Sequence, residues 1–268
     1  MEIKINGHSA DIKPESEKTI GEILSALEQW LTSSGHRLSG IAIDGQMADS
    51  SSVEEFFSRD IDTIDTLDLY TSTLSELCVQ SLLRIYGDIE EYENLDYSDK
   101  RAFCANWERS PQAHFAAEQM PDFYALCAQV FAGAGATPQM LRAITEERMR
   151  EIDDPVTEFT NLQTLVNETC ARLIDLPLDI QTGKDRKAAQ TIQIFSGITE
   201  KIFRIFKILT FQGFSSESIA DIISEFDASV KELLAAYERH DTVLVGDIAE
   251  YEMAPKLQKL YDAIRDTK

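Results

Sequence analysis

The spacing of apolar residues changes once along this chain, and that change limits the fold more than any other feature. Up to about residue 72, apolar side chains alternate with polar ones and tight-turn residues separate the runs, as in short strands. From Leu74 onward, apolar residues recur every three or four positions, as in amphipathic helices. The sequence therefore predicts an α+β protein, with a sheet domain at residues 1–72 and a helical bundle domain at residues 73–268. The bundle is expected to contain seven or eight helices, with one at Pro155–Asp175 and one at Thr242–Asp266.

Local signals divide the first segment into strands, turns and helices. Asn6-Gly7 and Asp44-Gly45 are favoured two-residue hairpin turns between alternating residues. Thr19 is the first residue of a capping box that precedes an apolar helical stripe, and Ser52 begins a second box that predicts a short helical turn. A closing strand is expected at about residues 64–71.

This order of elements resembles the ubiquitin-like β-grasp fold, in which a sheet of two hairpins and a last central strand wraps around one helix. The resemblance covers about a quarter of the chain and consists of a pattern, without a signature motif. Its combination with a helical remainder is similar to uncharacterised bacterial proteins. The segments that carry it are Glu2–Ile12, Thr19–Leu31, Gly40–Met47, Val53–Asp60 and Asp65–Thr71.

Conjugated modifiers and sulfur carriers of that family end in Gly-Gly, whose terminal carboxyl group is activated. In this chain the last predicted strand continues through Thr71-Ser-Thr-Leu74, and the sequence ends with Arg265-Asp-Thr-Lys268. Neither place has a diglycine. The resemblance therefore implies the fold of the first segment, and a modifier or sulfur carrier remains only a disfavoured alternative.

The charge of the chain disfavours two classes of partner. Its 25 basic and 47 acidic residues give a formal net charge of −22, spread over the whole length. Nucleic-acid binding relies on Lys and Arg that neutralise phosphates, and docking on anionic lipid needs the same charges. We therefore expect neither nucleic acid nor a membrane as a ligand.

Compartment signals favour the cytoplasm. No apolar stretch suits a signal peptide or a membrane-spanning helix. The four cysteines, at positions 78, 104, 127 and 170, form no C-x-x-C pair and lie among apolar neighbours. We expect buried, reduced thiols in a cytoplasmic protein.

A long helix around residues 192–209 carries a basic stripe on an otherwise apolar circumference. Helical spacing places Lys201, Arg204 and Lys207 on one narrow face, and apolar residues cover the remainder. Such a helix is predicted to lie at the centre of the bundle. Two interpretations stay open: the stripe contacts an acidic partner, or it pairs with carboxylates of neighbouring helices.

Carboxylates concentrate near His240 and offer the strongest candidate for metal or acid–base chemistry. Asp247 and Glu250 share a helical face in this region, but the Glu-x-x-His motif of helical di-iron sites is absent. A metal-dependent or other helical-domain enzyme that uses these three residues is therefore an alternative. We otherwise predict no catalytic residue, no metal ligand and no cofactor.

The segment Thr182–Lys187 superficially resembles a phosphate loop. It lacks the Gly-x-x-x-x-Gly-Lys-Ser/Thr spacing of nucleotide-binding proteins. A helix-capping box formed by Thr182 and Asp185 is the preferred interpretation.

The favoured function is a non-enzymatic protein–protein interaction module that acts as an adaptor, scaffold or chaperone. A β-grasp sheet offers faces and edges to a partner, and long amphipathic helices can accept or mimic a partner helix. The sequence identifies no partner, and it is compatible with a homo-oligomer.

Overall fold

The computed structural model describes residues 1–12, 14, 17–48, 56–214 and 219–267, without the side chain of residue 29. The chain is α+β, with a five-stranded sheet followed by helices. The sheet region contains β1 (Glu2–Ile5), β2 (His8–Ser9), α1 (Ile20–Ser33), β3 (His36–Ile43), β4 (Gln46–Met47) and β5 (Thr66–Thr73).

The strands are ordered β2-β1-β5-β3-β4, and β1 and β5 form a parallel pair at the centre. Both predicted hairpins are confirmed, with positive φ at Asn6, Gly7, Asp44 and Gly45 as the mirror-image turns require. Side chains alternate across the sheet, so one face packs its buried residues against α1. That face and α1 enclose the first core.

Helix α1 begins at the predicted capping box. The Thr19 hydroxyl accepts from the backbone of Glu22, and the Glu22 carboxylate accepts from the backbone of Thr19. The predicted apolar stripe is buried, whereas Trp30 beside it is exposed. The second predicted box, which begins at Ser52, lies outside the described residues.

Strand β5 leads into a helix without a linker. Thr73 is the last residue of β5 and also the N-cap of α2 (Leu74–Asn94), where it forms a capping box with Glu76. The change in hydrophobic spacing therefore coincides with one residue that belongs to both elements.

After residue 73 the described chain contains eleven α-helices, more than the seven or eight that the sequence predicts. The predicted helix at 155–175 is divided at Leu162, and its second part extends through Pro177. Besides α2, the helices are α3 (Tyr97–Trp107), α4 (Pro111–Gln119), α5 (Pro121–Phe131), α6 (Pro138–Asp153), α7 (Pro155–Asn161), α8 (Gln163–Gln181), α9 (Asp185–Phe211), α10 (Ala220–Glu238), α11 (Thr242–Asp247) and α12 (Ala254–Asp266).

A π-helical segment, Ile248–Met253, connects α11 to α12. The sequence predicts one helix over residues 242–266 that Pro255 bends or ends. Pro255 lies in the first turn of α12, directly after the π-helical segment, whose end is marked by a bond from the Ala254 amide to the Ala249 carbonyl oxygen. The break in regular α-geometry therefore precedes the proline.

Internal contacts divide the chain into two compact units, Met1–Thr145 and Glu146–Lys268. The predicted boundary at residues 72/73 stays a prediction. In the second unit α9 packs against α7, α8 and α12, and six of its apolar residues are buried, whereas Ile192, Ile194, Phe203 and Ile208 are half-buried. Within the described residues, no helix is long and apolar enough to cross a membrane. The four cysteines are free.

Candidate functional site

The basic stripe of α9 contacts carboxylates of α6 in the second unit. The Arg204 guanidinium donates to both oxygens of Glu151, from Nε at 2.7 Å and from a terminal nitrogen at 2.9 Å. Lys201 forms an ion pair with Glu147, and its ammonium nitrogen lies 3.6 Å from a Glu151 oxygen. Glu151 is fully buried, so these contacts compensate a carboxylate that water does not reach. We call these four residues the ion-pair cluster.

Lys207, the third residue of the stripe, differs from the other two. Its side chain is exposed and forms no ion pair with a described residue. Lys201 and Arg204 make the contacts expected of the second interpretation, in which the stripe pairs with carboxylates of neighbouring helices. Of the three stripe residues, only Lys207 is exposed and without an ion pair within the described part of the chain.

The acidic region around His240 is less clustered than its sequence suggests. His240 has φ of 55° in the turn that separates α10 from α11. Asp247 ends α11, and Glu250 accepts a hydrogen bond from Tyr251, which raises the pKa of that phenol. Across the described ranges, no group of three His, Cys, Asp or Glu side chains has an arrangement suited to a metal ion.

The predicted capping box at Thr182 is wrong. Thr182 ends α8, where its hydroxyl donates to the Leu178 carbonyl oxygen, and Lys184 is the N-cap of α9. The buried Asp179 carboxylate lies 3.3 Å from the Lys184 ammonium and 2.8 Å from that of Lys187. Both lysines therefore neutralise a buried carboxylate at the junction between α8 and α9.

The face of the sheet turned away from α1 presents apolar side chains to solvent. Met47 is 61% exposed and Tyr70 is 37% exposed. Both lie over Gly40: a methyl group at Gly40 would come within 3.2 Å of Met47 and 3.5 Å of Tyr70. The missing side chain of Gly40 therefore lets the two large side chains approach each other across β3.

Charged residues continue this surface on the neighbouring strands. Lys4 of β1 pairs in register with Asp68 of β5, and Asp68 in turn accepts from the Gly7 amide. Ala42 lies on the same face and is buried. We define the outer sheet face by Lys4, Gly40, Ala42, Met47, Asp68 and Tyr70.

Sequence reasoning did not single out this face, although a signal was present. The hairpin turn Asp44-Gly45 fixes the register between β3 and β4, and alternation then places Met47 and Ala42 opposite the core. The register of β5 was needed to bring Tyr70 beside them, and that pairing is non-local.

Two family models match separate parts of the chain. Residues 1–73 match the family described as the TP0873 N-terminal domain, and residues 157–263 match a domain of unknown function, DUF8042. An uncharacterised protein of Treponema pallidum (strain Nichols) is 22% identical over 270 residues, which cover 98% of this chain and 96% of that protein. No solved structure matches the chain.

Proposed function

We propose that this protein is a non-enzymatic protein–protein interaction module, of adaptor, scaffold or chaperone type, that binds a partner through the outer sheet face. The observation that carries the proposal is the exposed pair Met47 and Tyr70 over Gly40. Tyrosine is enriched among residues that dominate interface energies, and methionine adapts its shape to different surfaces. The charged side chains of Lys4 and Asp68, on the neighbouring strands of the same face, supply a polar rim.

We propose that residues 1–73 form a ubiquitin-like β-grasp domain. The proposal is supported by the strand order, by the parallel central pair of β1 and β5, and by α1 between the two hairpins. Partner binding through the sheet follows from this fold by analogy. A cytoplasmic site of action is supported by the four free thiols, which suit a reducing compartment.

The connection at Thr73 disfavours the modifier alternative. In this chain β5 passes directly into α2, so the sheet is followed by a capped helix. A conjugated modifier needs an extended tail at this place, because the activated carboxyl group must enter an enzyme. We therefore propose recognition by the folded surface, without conjugation.

Site-specific photo-crosslinking in the native host tests the proposal. A benzophenone side chain replaces Tyr70 in one full-length variant, and in a matched control it replaces Tyr237, which is 64% exposed in the second unit. We expect a discrete crosslinked protein at position 70 that position 237 does not give. Absence of a crosslink at position 70, or the same product from both positions, would contradict the proposal.

A second variant separates binding from folding. Met47→Asp places a charge on the exposed apolar pair, so we expect it to reduce the position-70 crosslink severalfold while the thermal unfolding midpoint stays unchanged. An undiminished crosslink in a folded Met47→Asp protein would count against the outer sheet face as the contact surface.

A further inference from the structure

A cavity of about 320 Å³ opens among the helices of the first unit, apart from the outer sheet face. Its apolar wall consists of Leu95, Phe103 and Trp107. The Trp107 ring is itself held in place, because it stacks on Tyr124 at 5.5 Å and meets Phe131 edge-on. The wall is therefore a fixed aromatic surface.

One carboxylate of this cavity is held in a defined orientation. Asp88 Oδ2 accepts from Trp107 Nε1 at 3.1 Å and from Gln112 Nε2 at 2.9 Å. Both donors bond the same oxygen, and Oδ1 receives no bond from the described residues. Asp88 thus has one oxygen fixed by neutral donors and a second oxygen that a ligand can reach.

The charge of the cavity is unbalanced. Glu91 and Asp99 lie with Asp88 among the lining residues, and both are exposed. Among the described residues that line the cavity, none is basic. A cation would offset three negative charges here, whereas an anion would be repelled.

The surroundings of Asp88 favour the binding of a cation. Burial raises the pKa of its carboxyl group, and the two hydrogen bonds only partly oppose that effect. Burying a carboxylate without a cationic partner costs free energy. A bound cation would recover that cost, as a positive charge close to a carboxylate lowers its pKa.

We propose that this cavity binds a guanidinium or alkylammonium group carried on a short apolar stem. The cationic head donates to Asp88 Oδ1, and the stem lies along Phe103 and Trp107. Asn106 and Ser110 add neutral polar groups at the same wall for the remaining donors. This ligand class follows from the combination of one oriented carboxylate, an aromatic wall and a rim without basic residues.

The chain contains two tryptophans, which provide a local reporter and an internal reference. The experiment titrates the full-length protein with n-butylguanidinium and follows both indole N–H resonances by NMR. We expect a saturable shift of the Trp107 signal and a constant Trp30 signal. The uncharged isostere n-butylurea should move neither.

Asp88→Asn is the matched variant, because the amide keeps the shape and can still accept from Trp107 and Gln112. We expect its affinity for butylguanidinium to fall about tenfold or more, as a charge-assisted bond is lost. Asp11→Asn makes the same charge change at an exposed position in the sheet region, and its affinity should equal that of the wild type. If Asp88→Asn fails to fold, Glu91→Gln at the exposed rim should still weaken binding severalfold.

Three results would overturn the proposal: no saturable shift of Trp107, an equal shift with butylurea, or unchanged affinity in folded Asp88→Asn protein. A further comparison identifies the source of the cation. An alanine peptide with one central arginine is tested against the same peptide with citrulline. Tighter binding of the arginine peptide than of butylguanidinium assigns the cavity to a protein side chain, and weaker or equal binding assigns it to a free small cation.

Discussion

Two carboxylates, one in each unit, differ in their burial and in what surrounds them: Glu151 is fully buried, and Asp88 is half-buried. Glu151 in the second unit is bonded at both oxygens by Arg204, with Lys201 nearby. Asp88 in the first unit is bonded at one oxygen by two neutral donors. The comparison teaches that burial alone does not identify a binding site. A carboxylate whose charge the chain already neutralises is structural, and one left without a cation beside a cavity is a candidate for ligand binding.

The largest expected effect comes from Glu151→Gln. The change leaves Arg204 and Lys201 without their buried counter-charge, and breaking a buried ion pair costs about 3 kcal/mol in free energy of unfolding. Urea unfolding measures it. Glu147→Gln is the matched control, and because Glu147 is a third exposed, its loss should stay below about 1 kcal/mol. Equal losses in the two variants would show that burial of Glu151 adds nothing.

At position 88, the same type of substitution should not lower the free energy of unfolding. Burial disfavours the charged form of Asp88, so Asp88→Asn should leave the free energy of unfolding at pH 7 unchanged or raise it slightly. Urea unfolding in the absence of ligand checks this. A loss as large as that of Glu151→Gln would make Asp88 a structural carboxylate and would remove the contrast.

The pH dependence of stability sharpens the contrast further. Because the pKa of Asp88 is raised on folding, the folded state binds this proton more tightly than the unfolded chain. The free energy of unfolding should therefore fall as pH rises from the ordinary aspartate value of about 4 through the raised folded value. Asp88→Asn should lack this decline. Parallel curves for the two proteins between pH 4 and neutrality would contradict the expectation.

The smallest effect is expected at Lys207. It belongs to the stripe predicted from sequence, yet it is exposed and pairs with no described residue. Lys207→Ala should change the free energy of unfolding by less than about 0.5 kcal/mol. Thermal unfolding of the Lys207→Ala and Lys201→Ala proteins measures the two effects side by side. A similar destabilisation in both variants would mean that Lys207 has a structural role.

Local signals predicted the sheet region well. The two hairpins and the first capping box depend on residues that are neighbours in sequence, and all three are present. The helical region was harder, because apolar spacing does not mark short breaks. The division at Leu162 and the continuation through Pro177 depend on tertiary packing, which outweighs local preference.

The candidate sites, like the helix boundaries, depend on contacts between residues that are far apart in sequence. Helical spacing correctly placed Lys201 and Arg204 on one face, but their partners on α6 lie about fifty positions earlier in the chain. The position of the cavity could not be predicted from the sequence. Asp88, Trp107 and Gln112 belong to three different helices, and no spacing rule relates them.

The π-helical segment at Ile248–Met253 makes this part of the chain tolerant of a change in length. A π-turn contains one more residue than an α-turn, so deletion of one residue would restore a regular helix. Because a π-turn uses its extra residue to complete about the same rotation as an α-turn, α12 would keep its orientation relative to α11. Leu257, Leu260 and Ile264, which are now buried, would therefore stay in the core. Loss of a single codon here thus needs no new apolar pattern along the last helix, whereas the same loss within regular α12 would turn its apolar stripe.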